Sequence, residues 1–413
     1  MRRMVLIADD LTGALDTGVQ FAGSEANVFV TTADGINGEE SADILVIDTE
    51  SRHLPAEEAY RTVYETVDCV RHRFPWIYKK TDSLLRGNLG AELAAVLDSS
   101  GRKKLVFVPS YPRMRRIVKN GRLFVDGIPT TRTHNAKDAL NPVATSVISD
   151  IIAEQTDLTV RLTNLATEAF SISGEKEILV CDAVTDDDMR RIARRILPYM
   201  RDIAVAGCAG FASVLKEFAA PAEAAGTAAP KIDARSHLII CGSINERTRR
   251  QINYAVEKGL PHLVLTPEEY LGEFHSDEIM RVICGMLREN GAVLVCTARD
   301  DKDIVKSGTY VKEHRLPAED LHIRIAKSLG RITAEVINTG KVDVLSVIGG
   351  DTLFGIMNAL DGRGFIPVRE IRTGTVQSVM LLRPGGSKTV LTKAGSFGDD
   401  DAIWHMYKSV LSG

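Results

Sequence analysis

Six cysteines stand in 413 residues, at positions 69, 181, 208, 241, 284 and 296, and none forms a C-x-x-C pair. That scatter argues against a zinc site or a disulfide framework and fits a reducing cytoplasm. No apolar run approaches the roughly 18 residues of a membrane span. The basic start Arg2-Arg3 is followed by an apolar stretch that ends at Asp9, too short for a secretory signal. A net charge of −4 and a pI near 6.2 leave no cationic footprint for nucleic acid or an anionic membrane. Neither G-x-x-x-x-G-K-[ST] nor G-x-G-x-x-G occurs, so neither a P-loop nor a dinucleotide fingerprint is present.

The chain does have an ordinary globular composition, 44% apolar and 26% charged. The length calls for two domains or three. The clearest shift in composition is Ala219–Pro230, AAPAEAAGTAAP, which reads as a linker between prolines. We expect an N-terminal domain over 1–220, a linker over 221–230 and a C-terminal domain over 231–413.

The N-terminal part alternates short apolar runs with helical periodicity. Val5–Ala8, Ala26–Thr31, Ile44–Ile47, Trp76–Tyr78 and Leu105–Val108 read as buried strands. Between them, Pro55–Arg73 carries Ala59, Val63, Val67 and Val70 at helical spacing, and Ala91–Leu97 is a second helix. Ile178–Ala183 and Ile203–Ala206 are further strand candidates, with Asp186–Asp188 opening a helix. The rhythm predicts an α/β fold with a largely parallel sheet.

The strands run into polar segments of mixed charge. Asp9-Asp10 comes after the first; Asp48 to His53 after Ile47; Lys79 to Asn88 after Tyr78; Pro109 to Arg113 after Val108. In open α/β sheets such strand ends share one edge, where ligands bind. A lone Asp-Asp is also a good helix cap with a solvated turn, and Lys80–Asn88 could be a turn with surface ion pairs. Four such ends in succession favour a shared site. Arg52, Lys80 and Arg86 suit a carboxylate, and Asp82 could bind a sugar hydroxyl or remove its proton. A helix opening near Asn88 would aim free N–H groups at an anion. A small polyol acid matches this mixture.

Beyond the linker the pattern repeats. Strands are expected at His237–Ile240, Leu263–Leu265, Ala292–Cys296 and Val342–Ile348, with helices at Thr248–Glu257 and Ile325–Val336. Strand, glycine turn and helix start recur at Gly242-Ser243, Gly349–Thr352 and Gly395–Gly398, an arrangement that binds phosphates through backbone N–H groups. One such turn serves geometry alone often enough; three together suggest a phosphate-bearing cosubstrate. A sugar-acid binder without chemistry would not need them, and a nicotinamide oxidoreductase lacks its fingerprint.

As a set the motifs resemble the four-carbon acid sugar kinases. The matching stretches are ADDLTGALDTGVQFA (8–22), KTDSLLRGN (80–88), PSYP (109–112), DALNPV with its following TS (138–146), CGSINERTRRQ (241–251), GGDT (349–352) and KAGSFGDDD (393–401). The resemblance implies two α/β domains with the active site in the cleft between them. It implies phosphorylation of the terminal hydroxyl of a four-carbon sugar acid by ATP with Mg²⁺. Asp10, Arg52, Lys80, Thr81, Asp82, Ser83 and Arg86 would contact the acid, with Asp10 or Asp82 accepting the proton. Ser243, Gly349, Gly350, Asp351, Thr352, Gly395 and Gly398 would contact ATP, and Asp351 or an acid of 399–401 the metal ion. Asp9 would serve only to fix its turn. KTDS at 80–83 is closer to D-threonate or D-erythronate kinases than to 3-oxo-tetronate kinases, the alternative. The partners implied are the sugar acid and ATP, with no nucleic acid and no membrane; oligomeric state stays open, a homodimer included.

Overall fold

A computed structural model describes residues 3–411, apart from 24–25, 37–40, 134–141, 166, 169, 220–231, 233, 273–275, 318–320 and 396. The chain divides into two compact units, residues 1–227 and 228–413. The linker expected at 221–230 and residues 138–141 of the fourth motif lie outside the described residues.

The first unit runs β1 (Met4–Ala8), α1 (Leu11–Gly18), β2 (Val28–Thr32), β3 (Ile44–Asp48), α2 (Ala56–Val70), β4 (Trp76–Lys80), α3 (Leu89–Ser99) and β5 (Lys104–Val108). It continues with β6 (Arg116–Lys119), β7 (Arg122–Val125), β8 (Ile128–Pro129), α4 (Ile148–Ala153), β9 (Thr159–Thr163), β10 (Glu177–Cys181), α5 (Asp186–Ile196), β11 (Ala204–Gly207) and α6 (Ala209–Ala219). Its main sheet has the order β2-β3-β1-β4-β11-β5-β10-β9, and every pairing in it is parallel. The expected α/β class is therefore what the chain adopts. β1, β3, β4 and β5 are buried along their whole length, which is why they read as continuous apolar runs. Helix α2 turns Ala59, Val63, Val67 and Val70 inward, each fully buried, as the 3.6-residue spacing requires. The irregular segment after β5 forms a separate antiparallel sheet of order β6-β7-β8.

The second unit holds β12 (His237–Cys241), α7 (Glu246–Glu257), β13 (His262–Val264), α8 (Pro267–Leu271), α9 (Ser276–Asn290), β14 (Ala292–Cys296), α10 (Asp301–Glu313) and α11 (Leu321–Asn338). β15 (Val344–Ile348), α12 (Gly350–Ala359), β16 (Gly362–Arg372), β17 (Thr375–Leu382), β18 (Ser387–Lys393) and α13 (Ala402–Leu411) complete it. The strand order β13-β14-β12-β15-β18 is parallel, and β17 and β16 extend it antiparallel. That hairpin was not expected. β16 mixes charged with apolar residues and is only partly buried, and β17 opens on largely polar residues before a short apolar run at Val379–Leu382, so neither reads as a fully apolar strand. Among the described residues no helix is long and apolar enough to cross a membrane.

Candidate active site

The carboxyl end of β1 delivers two carboxylates to one guanidinium. Arg52 donates Nε to Asp9 Oδ2 and Nη2 to Asp10 Oδ1, both at 2.7 Å. Asp10 is also the N-cap of α1: Oδ1 accepts from Gly13 N at 3.0 Å and Oδ2 from the Thr12 hydroxyl at 2.7 Å. The helix-capping role thus falls to Asp10, and Asp9 does more than shape a turn. Two adjacent carboxylates repel, and a planar fork of donors relieves both at once. Burial pushes the Asp10 carboxyl up, but Arg52, Lys80 and the Thr12 hydrogen bond outweigh it and hold it below the usual carboxylate value. Asp9 Oδ1 is buried and has no hydrogen-bond partner among the described residues.

The stretch from Lys80 to Asn88 folds around Asp82. Arg86 donates Nε to Asp82 Oδ2 at 2.9 Å and Nη2 to Oδ1 at 3.0 Å, and the Leu84 and Arg86 N–H groups donate to Oδ2 at 3.1 and 3.2 Å. Burial raises the Asp82 carboxyl; Arg86, Arg52 and Arg116 pull it well below its usual value. The turn closes through left-handed backbone at Leu85 (φ 66°) and Gly87 (φ 87°). A Cβ at Gly87 would lie 3.1 Å from Arg52 Cγ, so glycine serves both the turn and the approach of Arg52. The Ser83 hydroxyl accepts from Arg116, and Thr81 Oγ1 is buried without a hydrogen-bond partner among the described residues.

Lys80 differs from Arg52 and Arg86. It is 4% exposed, yet its ammonium has no hydrogen bond and no ion pair among the described residues. It faces the same corner as Asp10: a Cβ at Gly13 would lie 2.7 Å from Lys80 Nζ and 2.4 Å from Asp10 Oδ1. Arg52 and Arg86 are spent on aspartates, whereas Lys80 makes no hydrogen bond among the described residues. Its neighbouring countercharge is the Asp10 carboxylate, whose Oδ1 is already taken by Arg52 and Gly13 N, so the desolvated ammonium keeps hydrogen-bonding capacity.

The free N–H groups expected at the start of α3 are not free. Gln155 Oε1 accepts from Gly90 N at 2.9 Å and Ala91 N at 3.3 Å, and its Nε2 donates to Asn88 Oδ1 at 3.2 Å. Asn88 in turn donates to Ser51 O and Leu54 O at 2.9 and 2.7 Å. A side chain 65 positions away in the chain closes this end, and no local pattern announces that.

The contacts made by Lys79, Glu92 and Arg116 are not evident from the sequence pattern. Lys79, fully buried, pairs with Glu92 Oε2 at 2.8 Å, and the Ser51 hydroxyl donates to Glu92 Oε1 at 2.5 Å. This anchors the loop that carries Arg52 to α3. One signal was available: side chains alternate across a strand, so Lys79 and Lys80 must face opposite ways. Arg116, buried on β6, reaches Ser83 from a segment of irregular pattern. At the end of β3, burial pushes the Asp48 carboxyl up to about 7, partly opposed by hydrogen bonding from Glu50, while Asp10 and Asp9 add to the rise.

In the second unit the three glycine turns converge at the carboxyl ends of β12, β15 and β18. A Cβ on Gly242 would lie 2.5 Å from Thr352 Oγ1, and one on Gly395 would lie 2.9 Å from Ser243 Oγ. Gly349 has φ 111°, caps α12 and donates its N–H to Lys393 O at 3.1 Å. Ser243, Gly349, Gly350, Thr352 and Gly395 are thus drawn together, with Asp351 in the first turn of α12. At Gly242 and Gly395 a Cβ would press on the Thr352 and Ser243 hydroxyls, so glycine there lets these groups stand close together. Gly398 (φ 83°) sits farther along the last turn, packed on Ala402. Asp401 is engaged by Arg372 at 3.2 Å and His405 at 2.8 Å. Among the described residues no three His, Cys, Asp or Glu side chains gather as a metal site.

Known proteins show the same division. Residues 4–215 match the family model of a sugar-binding N-terminal domain, and residues 238–403 that of a nucleotide-binding C-terminal domain. A D-threonate kinase of Salmonella typhimurium is 30% identical over 97% of this chain and 96% of its own. A D-erythronate kinase of Heliobacterium modesticaldum is 29% identical over 97% of this chain and 95% of its own. A crystal structure from Salmonella typhimurium shares the fold with a TM-score of 0.77 at 18% identity, covering 97% of this chain and 98% of that one.

Proposed function

This chain belongs to the four-carbon acid sugar kinase family, and on that premise we propose that it transfers the γ-phosphoryl group of ATP to the terminal hydroxyl of D-threonate or D-erythronate. The observation that carries the reading is Lys80, an enclosed ammonium that makes no hydrogen bond among the described residues, beside an Asp10 held below the usual carboxylate value. A sugar acid offers that pair a carboxylate and hydroxyls together.

Phosphoryl transfer asks the protein for positioning and charge stabilisation. Lys80 takes the substrate carboxylate. Arg52 and Arg86 hold Asp10 and Asp82 ionised and in place, and Thr81 and Ser83 line the same edge with hydroxyls. Asp10 keeps one oxygen, Oδ2, with Thr12 as its partner. That oxygen orients the terminal hydroxyl and accepts its proton as the new P–O bond forms. Asp82, gripped on both oxygens by Arg86, organises the loop.

The turns at Ser243, Gly349–Thr352, Gly395 and Gly398 hold ATP. Mg²⁺, when bound with the nucleotide, would neutralise part of its phosphate charge. Mg²⁺ carried by phosphates needs about one or two protein carboxylates, which Asp351 or an acid of 399–401 would supply.

An ADP-release assay over the D and L forms of threonate and erythronate, with 3-oxo-tetronate, tests the proposal. Turnover is expected on D-threonate or D-erythronate above the others. No ADP with any of them contradicts it.

A further inference from the structure

The turn after β18 has its carbonyl groups held from one side. Gln251, fully buried on α7, donates Nε2 to the carbonyl oxygens of Phe397, Gly398 and Asp399 at 3.0, 3.0 and 2.9 Å. Lys393, 1% exposed at the end of β18, donates Nζ to Ala394 O at 2.9 Å and Gly395 O at 3.2 Å. Thr248 Oγ1 adds a bond to Gly395 O at 2.7 Å, and Arg247 one to Gly398 O at 3.2 Å. Every described carbonyl from Ala394 to Asp399 therefore meets a side-chain donor.

Covalent geometry sets the consequence. In a trans peptide the C=O and the N–H of the next residue point in opposite directions. Carbonyls drawn toward Lys393 and α7 send the N–H groups of Gly395, Gly398, Asp399 and Asp400 the other way. None of these four donates a hydrogen bond among the described residues. Successive N–H groups facing one way make an anion-binding concavity. Lys393 adds charge: its ammonium has no carboxylate partner among the described residues.

We infer that Gln251 and Lys393 are positioning residues that turn this loop inside out, so that its N–H groups face the phosphates of the bound nucleotide. The inference rests on the nucleotide reading above. Neither residue need touch the nucleotide; each acts through the peptide groups it holds. A purely structural tie would cost stability when broken and leave nucleotide affinity in the folded protein unchanged. A positioning role moves affinity for nucleotide and leaves the sugar acid alone.

A second readout comes from Lys393 itself. Burial pulls its ammonium down to about 7, with Cys241 on β12 opposing and Arg247 on α7 adding. A phosphate above the loop favours the charged form, so nucleotide binding takes up a proton near pH 7.

Calorimetric titration of the full chain with ADP at pH 7, in two buffers of different ionisation enthalpy, tests this. For the wild type we expect saturable binding with proton uptake. In Gln251→Met, ADP affinity falls at least tenfold while the KM for the sugar acid stays. In Lys393→Met the affinity falls and the proton uptake disappears, and Lys393→Arg recovers part of the affinity. Folded variants that bind ADP as the wild type does, with unchanged proton uptake, overturn the inference and leave the kinase reading standing. Should Gln251→Met not fold, the Lys393→Met affinity and proton count decide alone. A wild type that binds no adenine nucleotide overturns the nucleotide reading and this inference with it.

Discussion

Arg52 Nη2 and Asp10 Oδ1 meet at 2.7 Å, while Nε of the same guanidinium holds Asp9 Oδ2 at 2.7 Å. One planar fork thereby keeps two neighbouring carboxylates together at the end of β1. Lysine offers a point charge and cannot serve both. Arg52→Lys should leave one largely buried carboxylate unpaired, at a cost of roughly 3 kcal/mol of stability. A lowered Tm together with a fall in kcat/KM of about a hundredfold or more is the expected result.

Gly13→Ala separates site geometry from stability. Alanine is the better helix former by roughly 1 kcal/mol, and Gly13 lies within α1. Its Cβ, however, would stand 2.4 Å from Asp10 Oδ1 and 2.7 Å from Lys80 Nζ, so both groups must move. Circular dichroism should report a folded protein, and steady-state kinetics a loss of sugar-acid turnover.

Lys80→Met should behave differently from Arg52→Lys. Among the described residues no hydrogen bond is lost when this ammonium goes, only its attraction to Asp10, so Tm should fall much less than in Arg52→Lys. The lost charge-assisted bond to the substrate carboxylate, about 1.5–3 kcal/mol, raises the sugar-acid KM by roughly 10- to 150-fold. The KM for ATP should not change with it.

Asp48 gives a pH signature. Its folded carboxyl titrates at about 7 against an ordinary 3.8, so between those values the folded state holds a proton that the unfolded state has lost. Its contribution is fully present below pH 3.8 and is lost as pH rises through 7. Relative to Asp48→Asn, which cannot ionise, the wild type should lose about 1.4 kcal/mol per pH unit across that window. Urea unfolding of both proteins at pH 5, 6 and 7 measures the difference; parallel curves would contradict it.

The α/β class and the strand ends carrying Asp10, Arg52 and Lys80 were legible because fully buried parallel strands leave unbroken apolar runs with polar residues at their ends. The glycine turns were legible because positive φ and close approach leave few alternatives to glycine, as at Gly349. The hidden features depend on contacts distant in sequence. The cap on α3 comes from Gln155, the anchor of the Arg52 loop from Glu92, and the reach into Ser83 from Arg116. Local periodicity cannot tell which cation is spent and which is free. Arg52, Lys80 and Arg86 look alike as carboxylate binders in the sequence, and only packing shows two of them already engaged.

The pairing of Lys80 with a substrate carboxylate is tested most directly by measuring ADP release from D-threonate and D-erythronate beside threitol and erythritol, which lack the carboxylate, in wild type and Lys80→Met. The wild type should turn over an acid and ignore the polyols, and Lys80→Met should lose that preference through KM. Equal turnover of acid and polyol by the wild type, or an unchanged KM for the acid in a folded Lys80→Met, would contradict it.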